Sequence, residues 1–519
     1  MDTTKEAAKR YFGIWVLISQ LPTKSKTGIG NIFESLKNLI DFASRAGMNV
    51  IQILPPYDTV DNPYSALSAF AGNIKNIDLG QLVQMGLIEA ENIPVWFHDA
   101  DLKKWHYIDY QWTEENYWKV LKVAYSNALE SGLLNSSEYC TFESENRYWL
   151  DDYAFYMAYR SFAKDIDLCD TSVTNHISEV ISTYKYWLSE EIGIYKFAQF
   201  IFFKQWHEMK SYANKKGITL IGDIPIYLSK ASADVWAHPE LFKVDENLKP
   251  YKVAGCPPDN MFKNGQLWGN PVYDWPAHSK SGYEWWVQRI KHAFKMFDIL
   301  WIHHFPGFDR YWEISAGENT AKNGQWVDGP KQELFDAIYA EIPEAKFIVE
   351  NLGPMDKDAW ILLENLKSRG NVYGMNVLYF NRIHQGHWSD SDAGYTTTHN
   401  CPPIKVAYED IYPFEPDTPE VPYPPEDPDK VARQESLTEI FGFKPMYDTI
   451  GLAALEAACK TKSAFVITSL PDIWSCGKDE TLNTPGKYEP GVTWARKIPA
   501  YWLAGVAIPV KEIFDKYRW

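Results

Sequence analysis

Eight short, apolar, β-branched runs alternate with long helical patterns along the 519 residues of this chain, and no other feature constrains its fold as tightly. They fall at 13–17, 49–54, 218–224, 298–303, 346–350, 373–378, 394–398 and 464–469. A strand buried on both faces reads as a continuous apolar run, and a helix between two such runs supplies a parallel crossover. Eight repeats of this unit predict an α/β fold, a (β/α)8 TIM barrel, in one elaborated domain over 1–519. A doubly wound parallel sheet would show a similar pattern, so strand count alone leaves that alternative open. Hydrophobic residues make up 45% of the chain, enough for a core of this size.

The spacing of the runs also predicts insertions. The gap between the second and third runs is too long for one loop, so about 80–200 is expected to form a helical subdomain. Helical periodicity covers 117–129, 148–162 and 174–210, the last with a break expected near Gly193. A second insertion, about 235–290, carries the loop Ala254-Gly255-Cys256-Pro257-Pro258-Asp259 and is expected to line a cleft, because loops at strand ends build the sites of barrels. The segment 402–429 is rich in Pro, Asp and Glu. It is expected to form neither a regular helix nor a central strand. It reads as an extended loop or lid over the cleft mouth, with Tyr408, Tyr412, Phe414 and Tyr423 available to a protein partner.

A net charge of −17 argues against nucleic acid or an anionic membrane surface as partner. The six cysteines, at 140, 169, 256, 401, 459 and 476, form no CxxC pair, so neither a zinc site nor a redox motif is indicated. His303 and His304 are neighbours in a strand-like run and point to opposite faces, an arrangement unsuited to sharing one ion. No metal and no other cofactor is expected. The first residues carry no apolar signal core and no apolar run approaches a membrane span, which predicts a cytoplasmic protein without membrane insertion. The 22 Trp, 32 Tyr and 26 Phe suit a carbohydrate binder, although most such rings serve as core.

Several motifs recur in a fixed order. Leu21-Pro22 and Gly28-Ile29-Gly30 follow the first run, and Gln52-Ile53-Leu54-Pro55 forms the second. Then come Asn62-Pro63-Tyr64-Ser65-Ala66, Gly222-Asp223-Ile224-Pro225-Ile226, Trp236-Ala237-His238-Pro239, Gly265-Gln266-Leu267-Trp268-Gly269-Asn270-Pro271 and Asn483-Thr484-Pro485-Gly486. Together they resemble the amylomaltase, or 4-α-glucanotransferase, family (glycoside hydrolase family 77, α-amylase clan) over nearly the whole chain. That resemblance implies a (β/α)8 barrel and an α-1,4-glucan, a malto-oligosaccharide or another glycan, as ligand.

The resemblance also assigns roles by position. Retaining transfer needs two carboxyl groups about 5–5.5 Å apart, one attacking the sugar and one serving as acid and base. The acid/base falls on Glu350, in Val349-Glu350-Asn351-Leu352-Gly353. The nucleophile falls on His303, in Trp301-Ile302-His303-His304-Phe305-Pro306-Gly307-Phe308, where the family reads Arg-Ile-Asp-His-Phe-Arg-Gly-Phe. Trp301 and Pro306 thus stand at the two Arg positions. The third carboxylate falls on Asn400 and its neighbouring His on His399, and the Asp that follows the acid/base is Asn351. Tyr64 is placed to stack on a sugar, Asp223 to bind hydroxyls, Trp268 and Asn270 to border the cleft, and Trp301 to reshape its floor. Simpler roles compete: packing for Trp268, helix capping or support for Asp223, a buried structural acid for Glu350. With neutral neighbours, the like-charge contribution that raises the family's acid is expected to be missing at Glu350, whereas burial is not readable from sequence. The substitutions point to an amylomaltase-like barrel that has lost transferase chemistry and works by binding a glycan or a protein partner. Two alternatives stay open: an active or weakly active 4-α-glucanotransferase, and an adhesion or moonlighting protein with a vestigial cleft.

Overall fold

The structure of the protein is a computed structural model that describes residues 10–96, 106–163, 171–259, 262–353, 355–379, 388–411 and 449–518. Twelve strands are present among the described residues: β1 Tyr11–Val16, β2 Val50–Ile53, β3 Thr219–Ile224, β4 Lys252–Cys256, β5 Gln266–Pro271, β6 Ile299–Ile302, β7 Arg310–Ser315, β8 Gln325–Asp328, β9 Phe347–Val349, β10 Val372–Val377, β11 Asp392–Tyr395 and β12 Phe465–Thr468. Eight of them close into a parallel barrel in the order β1-β12-β11-β10-β9-β6-β3-β2. All eight predicted runs are barrel strands, and closure removes the doubly wound alternative. The seventh strand, β11, ends at Tyr395, short of the expected 394–398.

Alternation along the strands separates two apolar layers. Inside the barrel lie Trp15, Val50, Ile221, Ile299, Trp301, Ile348, Met375, Tyr395, Phe465 and Ile467. The intervening residues, such as Ile14, Ile51, Leu220, Leu300 and Val466, pack outward with the helices. The helix Glu34–Arg45 shows how the outer layer forms: Leu36, Leu39, Ile40 and Ala43 recur at helical spacing on its buried face.

The first insertion is helical, with Tyr110–Glu130, Ser137–Ala163, Ser178–Trp187 and Ser189–Lys215 as its long members. The break expected near Gly193 is absent. The helix is interrupted instead at Leu188, and Ser189–Lys215 runs unbroken through Gly193. The glycine serves close packing: a Cβ there would lie 2.2 Å from the Tyr125 hydroxyl. Strands β4 and β5, from the β3 excursion, form an antiparallel sheet with β7 and β8, which follow β6, in the order β5-β4-β7-β8. One further expectation fails. Ile404–Ile411, inside the Pro-rich segment, is a helix, because Pro402 and Pro403 precede its first turn and Asp472 Oδ1 accepts the Ile404 amide hydrogen at 2.7 Å. The remainder of that segment, including Tyr412, Phe414 and Tyr423, lies outside the described residues, and with it the proposed lid. No helix among the described residues is long and apolar enough to cross a membrane.

Candidate functional site

The C-terminal ends of the barrel strands converge on one cluster. Asp223 comes from β3, Trp301 and His303 from β6 and the turn after it, Glu350 from the residue after β9, His399 and Asn400 from the loop after β11, and Tyr64 from the loop after β2. Asp223 and Trp301 are register partners on adjacent strands. The ladder continues one residue past β9, where the Glu350 amide donates to Ile302 O at 2.9 Å. This bond fixes the Glu350 backbone against the end of β6.

Glu350 is buried, and its Oε2 accepts the His304 amide hydrogen at 2.8 Å. His304 adopts φ +48, the left-handed region, which non-glycine residues rarely occupy. That turn directs the His304 amide at Glu350 while its ring meets Trp268, edge to face, at 5.0 Å. His303 goes the other way, with Nε2 3.5 Å from Glu350 Oε2. Burial raises the Glu350 pKa to about 7, opposed by the His304 amide, and lowers that of His303 to about 3. Both groups are thus pushed toward neutrality, and because the imidazole is uncharged near pH 7 the contact is not an ion pair there. The predicted loss of like-charge coupling is accompanied by a desolvation large enough to bring the acid near neutrality on its own.

The other side of the cluster is hydrogen-bonded. Tyr64 Oη lies 2.5 Å from Asp223 Oδ2 and 3.2 Å from His399 Nδ1. The Tyr64 ring stacks on His399 at 4.6 Å and tilts against His303 at 4.8 Å and Trp494 at 5.4 Å. Burial holds Asp223 well above the usual carboxyl range and His399 well below the usual imidazole range, the latter reinforced by His303. Among the described residues Asp223 Oδ1, Trp301 Nε1 and His399 Nε2 are buried without a hydrogen-bond partner.

Some expected residues sit differently. Trp301 is 1% exposed and belongs to the barrel interior, edge-on to His303 at 5.6 Å and to His399 at 5.9 Å, so it supports the floor from below rather than facing a ligand. Asn351 turns away and accepts the Met375 amide hydrogen at 2.6 Å. Asn270 donates to Leu228 O at 2.7 Å, which ties β5 to the loop after β3. Trp268 is half-buried on β5 and donates to Gln266 Oε1. Asn400 Oδ1 accepts from Asn483 Nδ2 at 2.8 Å. Asn483, His304 and Trp494 were not among the predicted site residues. Asn483 opens a quoted motif and His304 adjoins His303, whereas nothing in the sequence marks Trp494, which is brought in when the Tyr110 hydroxyl of the helical insertion donates to its carbonyl at 2.8 Å. Among the described residues no group of three or more His, Cys, Asp or Glu side chains is arranged to hold a metal.

A closed parallel barrel with a buried acid at the C-terminal ends of its strands places this chain in the (β/α)8 class, whose sites lie at that end. The model of the 4-alpha-glucanotransferase family matches residues 16–502. The 4-alpha-glucanotransferase of Aquifex aeolicus is 34% identical over 491 residues, 92% of this chain and 93% of its own length. That of Clostridium butyricum is 36% identical over 499 residues, 92% and 95% of the two chains. The amylomaltase from Streptococcus agalactiae, solved in complex with acarbose, superposes with a TM-score of 0.86 at 31% identity, covering 98% of this chain and 99% of that one. The chain belongs to the 4-alpha-glucanotransferase family.

Proposed function

We propose that this chain is a glucan-binding member of its family whose cleft holds α-1,4-linked malto-oligosaccharide while the transfer step is lost. One observation carries the reading: at the position expected to attack the sugar stands the His303 imidazole, 3.5 Å from the only expected acid. Transfer with retention needs a second carboxyl group free to attack. Asp223 is fully buried and bound to Tyr64, so it is not free. Attack by His303 would form a cationic imidazolium glycoside beside Asn400, an uncharged amide that gives a developing cation little stabilisation. Loss of a nucleophile lowers turnover by on the order of 10⁶, roughly 8 kcal/mol of barrier.

A second reading, an active 4-α-glucanotransferase, is favoured by two observations. The relatives and the solved neighbour described above carry transferase names, and Glu350 near pKa 7 suits a group that gives and takes a proton at neutral pH. Disproportionation of maltotriose, measured beside calorimetric titration of maltotetraose, separates the two. Binding without transfer is expected. Transfer within about a hundredfold of an active relative, a barrier difference of under roughly 3 kcal/mol, and lost on Glu350→Gln, replaces the first reading with the second. Absence of both binding and transfer overturns both.

A further inference from the structure

We propose that Asp472 is a positioning residue: its one carboxyl group ties both ends of the loop 398–403 to the turn after β12, and so sets where His399 and Asn400 stand in the cleft. The consequence for a ligand rests on the glucan-binding reading above, whereas the positioning does not.

β11 ends at Tyr395. The chain enters the loop through Thr396 and Thr397 and leaves it at Ile404, the first residue of the following helix. All three residues meet Asp472. Its Oδ2 accepts from Thr396 Oγ1 at 2.6 Å and from Thr397 Oγ1, and its Oδ1 accepts the Ile404 amide hydrogen at 2.7 Å. Asp472 is fully buried, and Thr396 and Thr397 are buried with it. Receiving donors at two separate points, with no donor of its own, is what an acidic side chain with two oxygens provides.

The anchor is itself held in place. Asp472 lies in the short helix Leu470–Ile473, and its amide hydrogen is accepted by Ser469 Oγ at 3.1 Å. The helix Ile450–Lys460 packs against this turn through Gly451, where a Cβ would lie 1.6 Å from the Asp472 carbonyl oxygen. The loop, by contrast, is bonded chiefly to itself. Among the described residues the amide hydrogens of Thr398, Asn400 and Cys401 go to Cys401 Sγ, Thr398 Oγ1 and Thr398 O. These bonds make the loop compact without fastening it to a strand. Trp15 Nε1, which donates to Thr397 O at 2.9 Å, supports the entry side alone. The contacts of His399 with Tyr64 and of Asn400 with Asn483 are made by side chains, and they depend on where the loop backbone already stands.

Hydrogen exchange of the full chain, read on peptides covering 396–404 beside peptides covering β3 and β6, separates local release from general unfolding. Asp472→Leu, of similar size and without acceptors, should speed exchange across 396–404 about tenfold and leave β3 and β6 unchanged. It should also weaken maltotetraose binding about tenfold, the scale of a lost buried hydrogen bond. Asp472→Asn keeps an acceptor for the Ile404 amide and offers hydrogens that the two hydroxyls can accept in turn. It should recover binding to within about threefold of wild type. Unchanged loop exchange in a folded Asp472→Leu protein overturns the proposal. So does exchange that rises equally in β3 and β6, which would leave Asp472 a stabilising residue only, and so does an Asp472→Asn protein that binds no better than Asp472→Leu. Where Asp472→Leu fails to fold, Thr397→Val decides, because it removes one hydroxyl and nearly keeps the shape: faster exchange across 396–404 supports the proposal and a wild-type rate overturns it. Absence of maltotetraose binding in the wild-type protein, with loop exchange as expected, removes the glucan reading and leaves the positioning role standing.

Discussion

The two sides of the cleft floor are held by different forces. On one side Tyr64, Asp223 and His399 are joined by contacts of 2.5 and 3.2 Å and by stacked rings. On the other, His303 meets Glu350 at 3.5 Å with no shorter polar contact between their side chains, and Asn400 is tied to Asn483. The first side uses hydrogen bonds and packing, which under the proposed reading hold sugar hydroxyls without any fixed charge. Under the proposed reading, the second occupies the positions where bond breaking would need charge: an ionised nucleophile, a cation to keep it ionised, and an anion facing the transition state. Burial acts on both sides alike, raising Asp223 and Glu350 and lowering His303, His304 and His399. The whole floor is drawn toward electrical neutrality. A neutral floor suits holding a sugar far better than stabilising an oxocarbenium ion.

The largest test of this contrast rebuilds the charged side. The triple variant His303→Asp, Asn400→Asp, Trp301→Arg should raise maltotriose disproportionation by several orders of magnitude, toward the roughly 10⁶-fold scale of a lost nucleophile. His303→Asp alone should not. An Asp at 303 would lie among Trp301, Tyr64 and Glu350 with no cation beside it, and burial would keep it protonated. Full recovery from the single change would show that the two sides differ in one residue only.

Trp301 offers a stability test. It is 1% exposed inside the barrel, so Trp301→Ala should lose about 3–5 kcal/mol in denaturant unfolding, as expected for emptying a large core position. A loss below about 1 kcal/mol would mean that the indole is not part of the core, and that the floor below the histidines can relax freely.

The acid adds a pH-dependent difference. Its folded pKa, about 7, lies above the ordinary 4.5, so the native state binds the extra proton between these values. Stability from this group is therefore present at low pH and lost as pH rises from about 4.5 to about 7. Relative to wild type, Glu350→Gln should gain on the order of 3 kcal/mol of stability between pH 5 and pH 8. The buried histidines act with the opposite sign. His303 and His304, lowered to about 3, lose their contribution as pH falls from 6.5 toward 3. Comparing the two proteins at each pH cancels that background. Equal pH profiles would place Glu350 in contact with solvent and undo the account of a desolvated floor.

Much of this was legible in the sequence, for identifiable reasons. Barrel strands buried on both faces announce themselves as apolar runs, and all eight were found because both layers demand it. Residues at the strand ends, Asp223, His303 and Glu350, follow once the strands are placed. Tertiary packing was the obscure part. Gly193 reads as a helix breaker, yet it accommodates the Tyr125 ring. Pro402-Pro403 read as the start of a loop, yet Asp472, distant in sequence, caps a helix there. The sheet joining β4 and β5 to β7 and β8 unites two excursions that no local pattern connects. Trp494 reaches the site through a contact with the helical insertion. Trp301 could be assigned to a strand but not to its buried layer, which is why it was expected to reshape the cleft floor rather than to sit in the barrel interior.

The smallest effect expected is at Asn400, and it sharpens the contrast where the two sides meet. Asn400→Asp restores a carboxylate at a position whose oxygen already has a donor, Asn483 Nδ2 at 2.8 Å. An Asp is nearly isosteric and can accept that same hydrogen. The residue is only half-buried, so water shares in solvating the new charge. Stability should therefore change by no more than about 0.5 kcal/mol. Maltotetraose binding should change by less than about threefold, because ground-state hydroxyls are held as well by an amide oxygen as by a carboxylate. Transfer should remain undetectable, since one added anion stabilises a cation only where something first expels the leaving group. A tenfold loss of binding, measured by calorimetry, would show that the Asn400 N–H rather than its oxygen holds the sugar. Asn400 would then belong with Tyr64 and His399, and the boundary between holding and bond breaking would have to be moved across it.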